Sequence, residues 1–65
     1  MTKAKVITFN KTKGILWVKL ISGKYIGAEM VHFYYGRRTF KSGQRIKVSL
    51  GRYGHDDMLY IPSVF

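Results

Sequence analysis

The segment His32-Phe33-Tyr34-Tyr35-Gly36-Arg37-Arg38-Thr39-Phe40-Lys41 crowds four aromatic rings and three permanent cations around one glycine. Such rings stack on nucleobases, each of which presents a π face, and arginine or lysine holds phosphate. In an extended chain successive side chains point to opposite faces, so consecutive rings cannot all enter one core. Some of Phe33, Tyr34 and Tyr35 therefore face solvent or a ligand beside Arg37, Arg38 and Lys41, while other rings of the segment plug the end of the core. Two further sets share this chemistry. Trp17 and Tyr25 fall on the non-core parity of neighbouring strands alongside Lys19, as a stacking platform would; the competing use of Trp17 is to cover a minor core. Arg45, Lys47 and Arg52 lie on the outward parity of a later strand and its following loop and read as one positive groove.

Other chemistries lack their residues. With no cysteine there is no disulfide framework, thiolate zinc site or cysteine nucleophile. His55-Asp56-Asp57 has only His32 and Glu29 elsewhere to converge with it, so a polar loop is the better account than a metal or acid-base site. No Ser-His-Asp set, carboxylate pair or phosphate-cradling Gly-Lys-Ser/Thr motif is present. The expectation is a protein that is not an enzyme and needs no metal or cofactor.

Charge points the same way. Twelve Lys+Arg against three Asp+Glu give a net charge of +9 on 65 residues, which favours a polyanionic partner. The first 28 residues carry lysines without acid or arginine, a diffuse field; the four arginines all follow, with the planar fork that matches phosphate closely. No apolar run approaches the roughly 18 residues of a membrane span, and Met-Thr-Lys-Ala-Lys is followed by too short an apolar stretch for a signal-peptide core. A cytoplasmic location without membrane association is expected.

The elements that must position these residues are strands. Sixty-five residues suit one domain, which buries only about 60% of its unfolded surface and so depends on clean patterning. Period-two alternation dominates. Lys3 to Phe9 is a first strand; Ile15 to Ile21 is a second, with Leu16, Val18 and Leu20 inward and Ile15, Trp17 and Lys19 outward. Tyr25 to Val31 is a third, with Ile26, Ala28 and Met30 inward, and Arg45 to Leu50 a fourth, with Ile46, Val48 and Leu50 inward. Gly51 to Asp57 is a loop, and a last strand, Met58 to Ile61, ends at Pro62. Turns fall at Asn10 to Gly14, Ser22-Gly23-Lys24 and Lys41-Ser42-Gly43-Gln44. Five short strands with the longest connection between the third and fourth describe an all-β domain, a small five-stranded oligonucleotide-binding (OB) barrel, with an SH3-like barrel as the alternative.

The order of residues also resembles a known family. Leu16-Trp17-Val18-Lys19-Leu20-Ile21-Ser22-Gly23-Lys24-Tyr25-Ile26-Gly27-Ala28 is similar to the second and third strands of bacterial translation initiation factor one, an aromatic-x-Val-x-Leu strand leading through a polar-Gly turn. Ser42-Gly43-Gln44-Arg45-Ile46-Lys47-Val48-Ser49-Leu50-Gly51-Arg52-Tyr53 resembles that family's Gly-Asp-x-Val-x-Val-x-Leu-x-x-Tyr segment, and Gly36-Arg37-Arg38 falls at its basic stretch. The likeness spans about residues 4 to 61, in motifs that S1-type OB domains share. It implies an S1-like OB fold that binds RNA, with ribosomal RNA at the decoding site as the most specific partner.

The function expected from the residues is thus binding of single-stranded RNA or single-stranded DNA. The stacking rings are Trp17, Tyr25, Phe33, Tyr34 and Tyr35, and the phosphate contacts are Lys19, Arg37, Arg38, Lys41, Arg45, Lys47 and Arg52. The alternatives are a basic module or inhibitor docking on an acidic protein surface, since the same residue types make protein hot spots, and a duplex-DNA-binding barrel.

Overall fold

Alternating apolar and polar residues produce five antiparallel strands in a computed structural model that describes residues 1–65. They are β1 (Thr2–Asn10), β2 (Ile15–Leu20), β3 (Glu29–Phe33), β4 (Arg45–Tyr53) and β5 (Met58–Val64), and there is no helix. One sheet contains them all in the order β3-β2-β1-β4-β5. Its two edges, β3 and β5, come within 8 Å of each other between Cα atoms without forming a ladder, so the sheet curls but stays open.

The inner face is the core. Ala4 and Val6 of β1, Leu16, Val18 and Leu20 of β2, Ile46 and Val48 of β4 and Ile61 of β5 are buried together with Phe40. The ladders set them side by side: Ala4 pairs with both Leu20 and Ile46, and Val6 with Val18. Because the side-chain period is two, these pairings commit Lys3, Lys5, Lys19, Arg45 and Lys47 to the outer face.

Two bulges break that period. In β1 the register passes from Val6 opposite Val18 to Thr8 opposite Trp17, leaving Ile7 as an extra residue and turning Phe9 inward opposite Leu16. The 41–44 turn holds the bulge: the Ser42 hydroxyl donates to the Ile7 carbonyl at 2.6 Å, Gly43 N–H to the Val6 carbonyl at 2.7 Å, and Val6 N–H to the Gln44 carbonyl at 2.8 Å. In β5 the register passes from Ser63 opposite Ser49 to Tyr60 opposite Gly51. The bulge accommodates Pro62 on an edge strand, so β5 continues through it to Val64 instead of ending there, and β4 runs on to Tyr53 where a loop was expected.

The third strand also differs from expectation. Residues 22–28 form a compact turn, in which Gly27 takes a φ of 93° and donates to the Leu20 carbonyl at 2.8 Å, and β3 begins only at Glu29. The turn reverses the expected parity at two residues, so that Tyr25 packs against the core and Ile26 is 67% exposed, while Ala28 and Met30 point inward as expected.

Candidate functional site

The outer face of β2, β1 and β4 carries a lattice of cations. Lys5 pairs with Lys19 on one side and with Arg45 on the other, so three positive side chains stand in a row across three strands. Lys3 pairs with Lys47 in the next row of the same face. All five are exposed. Neighbouring strands lie about 4.8 Å apart, and residues two apart along a strand lie roughly 6.7 Å apart, so these charges share one small area. Lys19 alone has an acid as direct partner, Glu29 across the β2–β3 ladder. Like charges directly opposite each other oppose sheet formation, and a fold that keeps three such pairs, Lys5–Lys19, Lys5–Arg45 and Lys3–Lys47, on one face holds positive potential at some cost to itself.

Sequence reasoning finds Lys19, Arg45 and Lys47 but takes Lys3 and Lys5 for part of a diffuse field. The available signal is their i, i+2 spacing, matched by Arg45 and Lys47, which places each pair on one face of its strand.

An apolar strip adjoins the lattice. On the outer face of β2 and β3, Trp17 faces Val31 and Ile15 faces Phe33. Trp17 is 40% exposed, Val31 51% and Phe33 64%. Trp17 precedes Lys19 by two positions on the same face, so ring and charge are neighbours. Val31 escapes the sequence reading because it falls at the end of an expected strand that in fact runs on to Phe33. Tyr35 stands where β2 begins and β3 ends. Its exposed ring lies over Gly14, which is buried at a φ of 69°, and Tyr34 N–H donates to the Gly14 carbonyl at 2.7 Å. The β1–β2 turn and the exit of β3 are tied together there.

Comparison with protein-family models, with curated proteins and with solved structures finds no match.

The remaining expected residues fall outside the strip. Tyr34 is half-buried, with its ring 6.3 Å from Phe9 and 5.1 Å from Phe40; Phe9 and Phe40 are themselves 5.1 Å apart and edge-on. These rings plug one end of the sheet, so Tyr34 serves packing instead of offering a free face. The Arg38 guanidinium sits 4.8 Å over the Phe40 ring, and Arg38 N–H donates to the Tyr34 hydroxyl oxygen at 3.4 Å, so Arg38 caps the plug. Arg37 and Lys41 are exposed on the same connection.

Tyr25 is half-buried and lies under two cations, 5.7 Å from Lys24 Nζ and 5.3 Å from the Arg52 guanidinium. It does not stand beside Trp17, whose neighbour across the ladder is Val31. Arg52 belongs to β4 itself, and its even position sets it on the parity opposite Arg45 and Lys47. It therefore joins Tyr25, not the cation lattice. His55, Asp56 and Asp57 are exposed in the β4–β5 turn, and no three His, Asp or Glu side chains converge anywhere in the chain.

Proposed function

We propose that the protein is a non-enzymatic binder of single-stranded nucleic acid, RNA in the first instance, and that the outer face of β2–β3 with the adjoining rows on β1 and β4 is the binding surface. The observation that carries this reading is the position of exposed Trp17, which stands next to Lys19 of the row Lys19, Lys5, Arg45 on one side and continues through Val31 toward Phe33 on the other. A strand laid across the sheet would set phosphates along the cations and bases on the rings. Base-on-ring stacking contributes about 1–3 kcal/mol per base and accepts any base.

The strand order supports an OB-type assignment within this proposal. In an OB barrel five strands form a partly open Greek-key barrel, and the face of its second and third strands receives oligonucleotides. Here β2 and β3 carry two exposed rings, Trp17 and Phe33, on the face of the cation rows, and β3 and β5 are the edges that approach. The resemblance to bacterial translation initiation factor one favours RNA over DNA and a structured ribosomal RNA as one partner to try first.

Trp17 is the single tryptophan in the chain, so its fluorescence reports on the surface without any label. Titration with an octanucleotide of single-stranded RNA should change Trp17 emission saturably. Titration with single-stranded and duplex DNA of the same sequence ranks the competing ligands. An emission spectrum and tumbling rate unchanged by all three ligands at high micromolar concentration would overturn the proposal.

A further inference from the structure

Within the lattice, on the outer side of β1 and β4, lies a groove of about 380 Å³ lined by three of the lattice cations, Lys3, Arg45 and Lys47, together with Ile21, Ile46 and Phe65. Its walls are held by backbone pairing. Ile21 N–H donates to the Lys3 carbonyl at 3.0 Å, extending β2 alongside β1, and Phe65 N–H donates to the Lys47 carbonyl at 2.7 Å, extending β5 alongside β4. Three cations thus surround a space with isoleucine and an exposed phenylalanine ring on its sides, and no Asp or Glu lines it. Phe65 is 55% exposed.

The dimensions and the charge select the ligand. The volume is at the small end of the range for small-molecule pockets and accommodates about one nucleotide, not a run of strand. An internal phosphodiester brings one negative charge, whereas a phosphate monoester brings about −1.5 to −2 at neutral pH and three acceptor oxygens. Three cations on one such group match the monoester, and an aromatic wall matches a base.

We propose that this groove binds the phosphate monoester of a nucleotide, with the phosphate among Lys3, Arg45 and Lys47 and the base against Phe65 and Ile21. The monoester can come from a strand terminus or from a free nucleoside monophosphate. The strand-terminus source rests on the nucleic-acid reading of the outer face; the free nucleotide does not.

The test uses the whole chain, labelled with ¹⁵N. Adenosine 5′-monophosphate should shift the amides of Lys3, Ile21, Lys47 and Phe65, and adenosine should not. An octanucleotide with a phosphate at its 5′ or 3′ end should bind about tenfold tighter than the same strand with hydroxyl ends, the low end of what a charged hydrogen bond supplies. Phe65→Ala should shrink that difference, since the base loses its wall while the cations remain, leave the affinity of the hydroxyl-ended strand within about twofold, and retain a dispersed amide spectrum. Phe65→Tyr should keep the preference.

Shifts with the monophosphate but equal binding of both strands would support the groove and assign it to free nucleotide. Shifts with the monophosphate and no strand binding would leave the groove standing and remove the outer-face reading. No shift with the monophosphate and no preference between strands overturns the groove, whatever the outer face does.

Discussion

Lys5 and Arg45 are direct partners across the β1–β4 ladder, a like-charge pair on the outer face of two strands that contain no acid. Opposite-charge pairs at such positions stabilise sheets and like-charge pairs destabilise them by about 0.2–1 kcal/mol. Arg45→Glu should therefore raise the unfolding midpoint, by up to about 1 kcal/mol in stability, while weakening oligonucleotide binding. Chemical denaturation and a fluorescence titration on the same variant check both halves. A variant that loses stability and keeps its affinity would show that the pair is not maintained for a ligand.

Trp17→Ala and Phe33→Ala should each lower oligonucleotide affinity by about 1–3 kcal/mol, if each ring carries one base. Tyr53 and Tyr60 provide the control. They form an edge-on pair 5.3 Å apart on the β4–β5 hairpin, away from the cation rows, and Tyr53→Ala should leave affinity within about twofold. Binding by anisotropy with a labelled strand measures all three. Equal losses at Trp17 and Tyr53 would point to nonspecific adhesion of rings.

Tyr34 and Tyr35 are adjacent and chemically identical but have different roles. Tyr34→Ala should cost about 2–4 kcal/mol of stability, since it removes the ring packed between Phe9 and Phe40. Tyr34→Phe should cost far less, because the ring contacts remain and only the 3.4 Å contact from Arg38 N–H is lost. Tyr35→Ala should change stability little, its ring being exposed. Thermal unfolding of the three variants separates the roles; similar midpoints for the two alanine variants would contradict the plug.

Gly14→Ala should destabilise the domain by about 1–2 kcal/mol or more. The position has a φ of 69°, which penalises any Cβ, and the Tyr35 ring occupies the space a Cβ would need. The amide resonances of Tyr34 and Tyr35 should move with it, because the Gly14 carbonyl accepts from Tyr34 N–H. Unperturbed Tyr35 signals would show that the ring does not rest on the turn.

Much of the core is legible in the amino-acid sequence. Leu16, Val18 and Leu20, and again Ile46 and Val48, alternate without interruption, and local alternation suffices to assign a face. What local pattern does not encode is register across strands. The meeting of Lys5 with Lys19 and Arg45 depends on how three strands are aligned, so the lysines of β1 look like scattered charge in the linear chain. Bulges are hidden for a related reason: the extra residue at Ile7 inverts the parity of Phe9 without any glycine or proline to mark it. Tyr25 is misplaced by alternation because the 22–28 segment, which alternates like a strand, is folded by its two glycines into a turn. Among Phe33, Tyr34 and Tyr35, only tertiary packing decides which ring enters the plug.

A cation lattice that holds phosphates must bind in a salt-dependent way. The most direct measurement is the affinity for a single-stranded octanucleotide across a series of salt concentrations. On a strand with hydroxyl ends, where Lys3, Lys5, Lys19, Arg45 and Lys47 each neutralise one internal phosphate, log K should fall against log salt with a slope near −3.5, from about −0.7 per phosphate on a single strand. Replacing Lys5 and Arg45 together by glutamine should shallow the slope to about −2. An affinity that ignores salt, or a slope that the double substitution leaves unchanged, would contradict phosphate binding by the lattice.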